Sequence, residues 1–164
     1  MHIRNYTPAD CQEIAQLFYN TVHTVNQKDY TQEQLTAWAP EPPSPSAWNP
    51  TLTAHHTLVS LETVKITGFG DITLCPDGTA YLDRLYIHKD FQRKGIATAI
   101  CDRLEAFAAS QGAAIVTTHA SITARPFFEK RGYRVIKEQQ VERRGVSLTN
   151  SVMEKVIEKE RKPI

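Results

Sequence analysis

The residues of this chain best placed to do chemistry lie in one run, Asp83-Arg84-Leu85-Tyr86-Ile87-His88-Lys89-Asp90-Phe91-Gln92-Arg93-Lys94-Gly95-Ile96-Ala97-Thr98. A strand-like segment passes through a short basic loop with one glycine and enters a helix. Ile96, Ile100, Leu104, Phe107 and Ala108 are spaced as on one helical face, so the loop opens a core-packed helix. A strand-to-helix junction of this kind leaves backbone N–H groups unpaired at the positive end of the helix dipole. It therefore suits an anion, above all a phosphate. The single glycine does not make a Gly-x-Gly-x-x-Gly dinucleotide loop, and Lys94-Gly95-Ile96 is not the Gly-Lys-Ser/Thr of a triphosphate loop. A plain solvent-facing turn uses the same residue types, so the surrounding elements must decide.

Asp83 is the acidic residue nearest this loop on the strand that leads into it. Strand alternation groups Tyr81, Asp83 and Leu85 on one face and puts Tyr86 on the other. If the first face looks into a cleft, Asp83 is the candidate to take a proton from an amine or to orient a water; pairing with Arg84, Arg103 or a backbone donor is the competing expectation. His23 reads as a capping or core histidine. His55, His56 and His119 lack the spacing of metal ligands, and no metal is expected. Tyr30, Trp38 and Trp48 surround a proline-rich segment, where they either wall a small-molecule pocket or pack as ordinary core.

A chain of 164 residues with 41% hydrophobic and 23% charged residues is expected to form one domain over 1–164 with its own core. A net charge of +1 argues against a broad nucleic-acid-binding face, while the local cluster Lys89, Arg93 and Lys94 suits a small anionic ligand. Cys11, Cys75 and Cys101 have no Cys-x-x-Cys spacing, so neither a disulfide framework nor a zinc site is expected. No stretch approaches ~18 apolar residues, and Met1 to Tyr6 does not read as a signal peptide. The expectation is a cytoplasmic protein without membrane association.

The positioning elements follow from periodicity and punctuation. His2 to Tyr6 reads as a strand and Thr7-Pro8-Ala9-Asp10 as a helix start, with Ile14, Leu17, Phe18, Thr21, Val22 and Val25 along the helix. Thr31 opens a shorter helix carrying Leu35 and Trp38, which stops before Pro40-Glu41-Pro42-Pro43-Ser44-Pro45, a run expected to be neither helix nor central strand. Strands over Thr57–Leu61, Val64–Leu74 and Thr79–Ile87 read as an antiparallel meander. After the helix from Ile96 to Gln111 come a short buried strand, Ile115–Thr118, and a helix over Ser121–Arg131 that Pro126 permits only if it starts late, near Thr123. Two strands, Tyr133–Glu142 and Val146–Val156, meet near Arg144-Gly145.

Gln92, Gly95 and Ala97 fit the pattern Gln/Arg-x-x-Gly-x-Gly/Ala at the end of a strand, and Ala124-Arg125-Pro126-Phe127-Phe128-Glu129-Lys130-Arg131-Gly132-Tyr133 follows at a set distance. Together with the element order, these residues resemble the GNAT superfamily of N-acyltransferases over nearly the whole chain. The resemblance implies an α/β (α+β) fold with a central mixed, mostly antiparallel twisted sheet flanked by helices. It implies acetyl-CoA as cosubstrate, held by the amides of Gln92, Arg93, Lys94, Gly95, Ile96, Ala97 and Thr98, with the side chains of Arg93 and Lys94 near the phosphates. The backbone of Leu85, Tyr86 and Ile87 would pair with the pantetheine arm. Ser121 stands where the family often has a cofactor-contacting Asn, and Phe128 where many members have a Tyr that protonates the departing thiolate. Tyr133 is then the tyrosine to test as acid, although solvent is the expected proton source. Tyr30, Trp38 and Tyr81 are the expected acceptor-binding residues. The implied activity is acetyl transfer to a primary amine of a small molecule or peptide; a non-catalytic acyl-CoA sensor is the alternative, and a homodimer is one expected assembly.

Overall fold

The computed structural model describes residues 1–157. β1 (His2–Asn5), β2 (His56–Glu62), β3 (Lys65–Leu74) and β4 (Ala80–Ile87) pair antiparallel in sequence order. β5 (Ile115–Ser121) joins β4 in parallel, and β7 (Val146–Val156) and β6 (Arg134–Arg143) complete a seven-stranded sheet of order β1-β2-β3-β4-β5-β7-β6. The expected mixed, mostly antiparallel sheet is what forms.

Helices cover both faces. α1 (Cys11–Thr24), α2 (Gln32–Trp38) and α3 (Pro45–Ala54) lie on one side, over a core of Ile14, Leu17, Val22, Leu35, Leu52, Val59 and Phe69. On the other, α4 (Ile96–Ser110) and α5 (Arg125–Lys130) cover Ile72, Leu82, Ile100, Leu104, Val116 and Met153. α4 seats closely because β3 presents glycines to it. A Cβ on Gly68 would stand 3.0 Å from Ile96, and one on Gly70 would stand 3.1 Å from Ile100.

Two local findings depart from expectation. α3 grows out of the proline-rich run, because Ser44 caps the N–H of Ala47 and Pro45 enters the first helical position, where a missing N–H costs nothing. The helix of the Phe127-Phe128 segment starts at Arg125, and Ser121 ends β5 instead of opening that helix; its hydroxyl accepts from Ala124 N–H (3.1 Å) and shapes the turn between them.

The departure that matters most for the site is in β4. Asp71 pairs with Arg84 while Ile72 pairs with Leu82, so Asp83 is the extra residue of a β-bulge. The bulge reverses the alternation behind it. Ala80 and Leu82 before it, and Leu85 and Ile87 after it, all pack with the α4-side core. Tyr86 packs with the α1-side core, and the Arg84 guanidinium lies over the α3 residue Trp48 at 4.9 Å from the ring centroid. Strict alternation thus misplaces the residues after Asp83: Leu85 and Ile87 turn away from it, and Arg84 and Tyr86 join it.

Candidate active site

β4 and β5 pair only through Ala80–Val116, Tyr81–Thr117 and Leu82–Thr118. Beyond these residues they separate, and a cavity of about 300 Å³ opens in the gap. Its walls come from most of the molecule: Phe18 of α1, Trp38 of α2, Trp48 of α3, Asp83 of β4, His119 of β5 and Asn150 of β7 are among them. Tyr30, Trp38 and Tyr81, the expected acceptor-binding residues, all line it, as do Leu85, Tyr86, Ser121 and Phe128. Ile87 does not line it; its carbonyl accepts from Thr21 Oγ1 (3.0 Å) and Gln92 Nε2 (2.7 Å). The Tyr30 hydroxyl is committed to structure, donating to Thr149 O (2.8 Å) and accepting from Ile122 N–H (2.9 Å), so Tyr30 offers the cavity its ring.

Asp83 is the carboxylate that reaches this space, with its side chain 30% exposed. Its nearest nitrogen partners are Arg84 Nη1 at 3.5 Å and His55 Nδ1 at 4.0 Å, and among the described residues no hydrogen bond holds its oxygens. Behind it sits Asp71, fully buried, which accepts from Arg84 N–H (2.9 Å), Arg84 Nη1 (2.6 Å) and the His55 imidazole (2.8 Å). Burial raises the Asp83 pKa above the usual carboxylate value and the charge of Asp71 adds to the rise, while Arg84, His55 and His119 pull the other way. The phenol of Tyr81 is pushed up to about 12, first by burial and then by Asp83. Burial also pushes the Tyr86 phenol up. Both phenols therefore stay protonated at neutral pH.

Spacing along the chain gave His55 no ligand partners, yet the fold gathers His55, Asp71 and Asp83 so that their donor atoms lie within 4.8 Å of one another. Asp71 Oδ2, shared by the Arg84 guanidinium and His55, is already neutralised by a side chain of the protein. Asp71 was missed in the sequence, although a lone acid inside the apolar run Ile66 to Leu74 is itself a signal, because a buried charge demands partners. Arg143 and Asn150, both on the cavity wall, carried no local signal.

Tyr133 lies elsewhere. It is 3% exposed within the α4-side core, and its hydroxyl donates to Glu105 Oε2 at 3.0 Å. Arg131 and Lys155 bind the same carboxylate at 2.8 and 2.7 Å. Tyr133 is not part of the cavity wall.

The loop from Gln92 to Thr98 is outside the cavity, at the N-terminus of α4. Gln92 ties it to the end of β4, and Gly95 (φ 79°) and Arg93 (φ 59°) take left-handed conformations that turn successive N–H groups the same way. Ala99 donates to Gly95 O (3.1 Å), closing the first turn of α4, so the N–H groups ahead of it are the ones a helix leaves unpaired. A Cβ on Gly95 would meet nothing within 4 Å, so the glycine answers to its φ and to the open space in front of it rather than to a protein neighbour. Arg93, Lys94 and Thr98 are exposed around that space. The donors, the empty cradle and the basic rim fit a pyrophosphate.

A family model described as an acetyltransferase (GNAT) domain matches residues 26–156. The chain belongs to the GNAT acetyltransferase family. That membership makes acetyl-CoA-dependent acyl transfer its activity, rather than passive acyl-CoA binding. Among curated relatives, an uncharacterised N-acetyltransferase of Escherichia coli, YafP, is 33% identical over 153 residues, covering 93% of this chain and 94% of the relative. A crystal structure of a GCN5-related N-acetyltransferase from Rhodopseudomonas palustris superposes with a TM-score of 0.88 at 31% identity over 95% of each chain. The PaiA N-acetyltransferase of Thermoplasma acidophilum, solved with coenzyme A, shares the fold at 16% identity with a TM-score of 0.78, over 95% of this chain and 98% of its own. Among the described residues of this acetyltransferase, no helix is long and apolar enough to cross a membrane.

Proposed function

We propose that this acetyltransferase moves the acetyl group of acetyl-CoA directly to a primary amine of a small molecule or peptide, with Asp83 as the proton acceptor. The observation that carries this reading is the carboxylate itself: it faces the cavity in the β4–β5 gap and carries no hydrogen bond from the described residues, and its pKa is raised. An amine is mostly protonated at neutral pH and must lose a proton before it can attack, and a carboxylate with a raised pKa is the better base for that task.

Acetyl-CoA, when bound, supplies the activated acetyl group. The Gln92–Thr98 loop is assigned to its phosphates and the β4 edge beyond Leu82, left without a β5 partner, to its pantetheine arm. Asp83 takes the amine proton, and Arg84, pinned on Asp71, holds the negative charge that Asp83 has before the transfer. Phe128 has no proton to give, and the Tyr133 hydroxyl is spent on Glu105. Because a thiol of pKa about 8.5 is a fair leaving group, solvent suffices as the proton source. The bulge does place the Tyr86 phenol on the cavity side, which makes Tyr86→Phe the informative control.

The direct test is coenzyme A release from acetyl-CoA with a panel of primary amines and their N,N-dimethyl analogues. Release with the primary amines alone is expected, and release with none of them would overturn the reading. Gly95→Asp tests the loop separately: bulk and negative charge at the helix N-terminus should weaken coenzyme A binding more than ~10-fold in calorimetry. Unchanged affinity in the folded variant would remove the loop from the site.

A further inference from the structure

Resting on the amine reading, the geometry points to a small acceptor that carries an anionic group, a carboxylate or its like, beside its amine: an amino-acid-like molecule whose ammonium meets Asp83 and whose anion meets Arg143. The cavity holds about 300 Å³, at the low end of small-molecule sites, which run from about 300 to 1,000 Å³, and it must also admit the acetyl end of the donor.

Its fixed charges then select among small amines. Among the described residues, Asp83 is the only carboxylate on the wall, against two guanidiniums, Arg84 and Arg143. Arg84 is already satisfied by Asp71 and stacked on Trp48. Arg143 is not: among the described residues no carboxylate lies within ion-pair distance of it, and its recorded hydrogen bond is to the adjacent Glu142 O, at 3.3 Å. The end of β6 that carries it is held in place, since the neighbouring Arg144 donates to Ala37 O at the end of α2. Tyr81 lies within reach of both fields: Asp83 raises its phenol and Arg143 lowers it. One carboxylate and one unpaired guanidinium thus line the same cavity as Tyr81, and a zwitterion offers a partner to each.

A second observation concerns Asn150. Asn150 belongs to the same wall, and its Oδ1 is the one buried side-chain polar atom without a hydrogen-bond partner among the described residues. A buried acceptor left unpaired costs about 1–3 kcal/mol, so it calls for a donor from the ligand, and an ammonium has one to spare after meeting Asp83. A polyamine or a lysine in a basic peptide supplies donors too, but it brings extra positive charge to a wall that already carries two guanidiniums.

The test compares α-amino acids with the amines that remain when their carboxylates are removed, in wild type and in Arg143→Gln. Coenzyme A release is the readout, and a thermal melt confirms the fold of this surface variant. Wild type should prefer the carboxylate-bearing partner in kcat/KM by ~10-fold or more, as one charge-assisted contact allows. Arg143→Gln should abolish that preference by raising KM for the acids, leaving their kcat and the constants of the decarboxylated amines nearly unchanged. Equal or better use of decarboxylated amines or polyamines by wild type would overturn this inference while leaving the amine reading intact, and so would an unaltered KM in Arg143→Gln. Turnover of no amine at all would remove both.

Discussion

Two carboxylates on opposite faces of the sheet, Glu105 and Asp83, show how one fold can shift two acids in opposite directions. Glu105, on the α4 side, is surrounded: Arg131, Lys155 and the Tyr133 hydroxyl all bind it within 3.0 Å. Burial alone would raise its pKa, but these partners outweigh burial and the net shift is downward. Asp83, on the cavity side, is partly sheltered, its side chain 30% exposed against 10% for Glu105; it lacks such partners and has a second buried acid, Asp71, behind it. Its net shift is upward. Burial is common to both; satisfaction of the oxygens differs. A carboxylate whose lone pairs are all taken is held ionised and inert, and one left short of donors is ready to take a proton.

The largest expected effect comes from stripping Glu105 of its charge. Glu105→Gln leaves Arg131 and Lys155 facing a neutral amide, and removing one partner of a buried ion pair costs about 3 kcal/mol. Because the native pKa is lowered, the wild-type contribution is present above the unfolded-state pKa and lost as pH falls through the native value. Urea unfolding should therefore show a deficit for Glu105→Gln at pH 7 that shrinks in acid, with turnover of the folded fraction kept. A catalytic loss at unchanged stability would break the comparison.

Asp83→Asn should behave the opposite way. With a raised native pKa, protonation of Asp83 favours the fold, and that stability is lost as pH rises through the native value. Removing the charge should thus raise the melting temperature at pH 7, by an amount that shrinks as pH falls and wild-type Asp83 protonates. A lower melting temperature at pH 7 would mean that Asp83 is held by contacts like those of Glu105.

Tyr133→Phe gives the smallest effect. It deletes one hydrogen bond to Glu105, worth about 1 kcal/mol, and turnover should stay within about twofold. A loss above ~100-fold with acetyl-CoA affinity intact would restore Tyr133 as an acid and place chemistry on the wrong face of the sheet.

What could be read from the sequence follows the same division between local and assembled features. The loop proposed to hold the phosphates is built from adjacent residues, so Gln92, Gly95 and the α4 stripe of Ile96, Ile100 and Leu104 announce it. The Thr31–Gln34 capping box is likewise local and forms as expected. The proline run hides α3 because proline forbids helix interiors yet favours helix starts, and composition alone does not separate the two. Tyr86 was set on the wrong face because a β-bulge has no residue signature at Asp83, and one extra residue inverts every side chain after it. His55 reaches the site from the C-terminal end of α3, and Arg143 from the end of β6, places that come near Asp71 and the cavity only once the sheet has formed.

The pH dependence of kcat/KM, compared between wild type and Asp83→Asn with an amine acceptor, tests the central claim most directly. Asp71, Arg84, His55, His119 and Tyr81 all face this carboxylate, so the comparison must be between the two proteins rather than with a reference value. In wild type, activity should fall on the acid side as Asp83 protonates, at a pH above that of an ordinary carboxylate. In Asp83→Asn, turnover should drop ~100-fold or more and that acid limb should vanish, leaving the limb set by the acceptor amine. An Asp83→Asn enzyme with full turnover and the same acid limb would contradict the account.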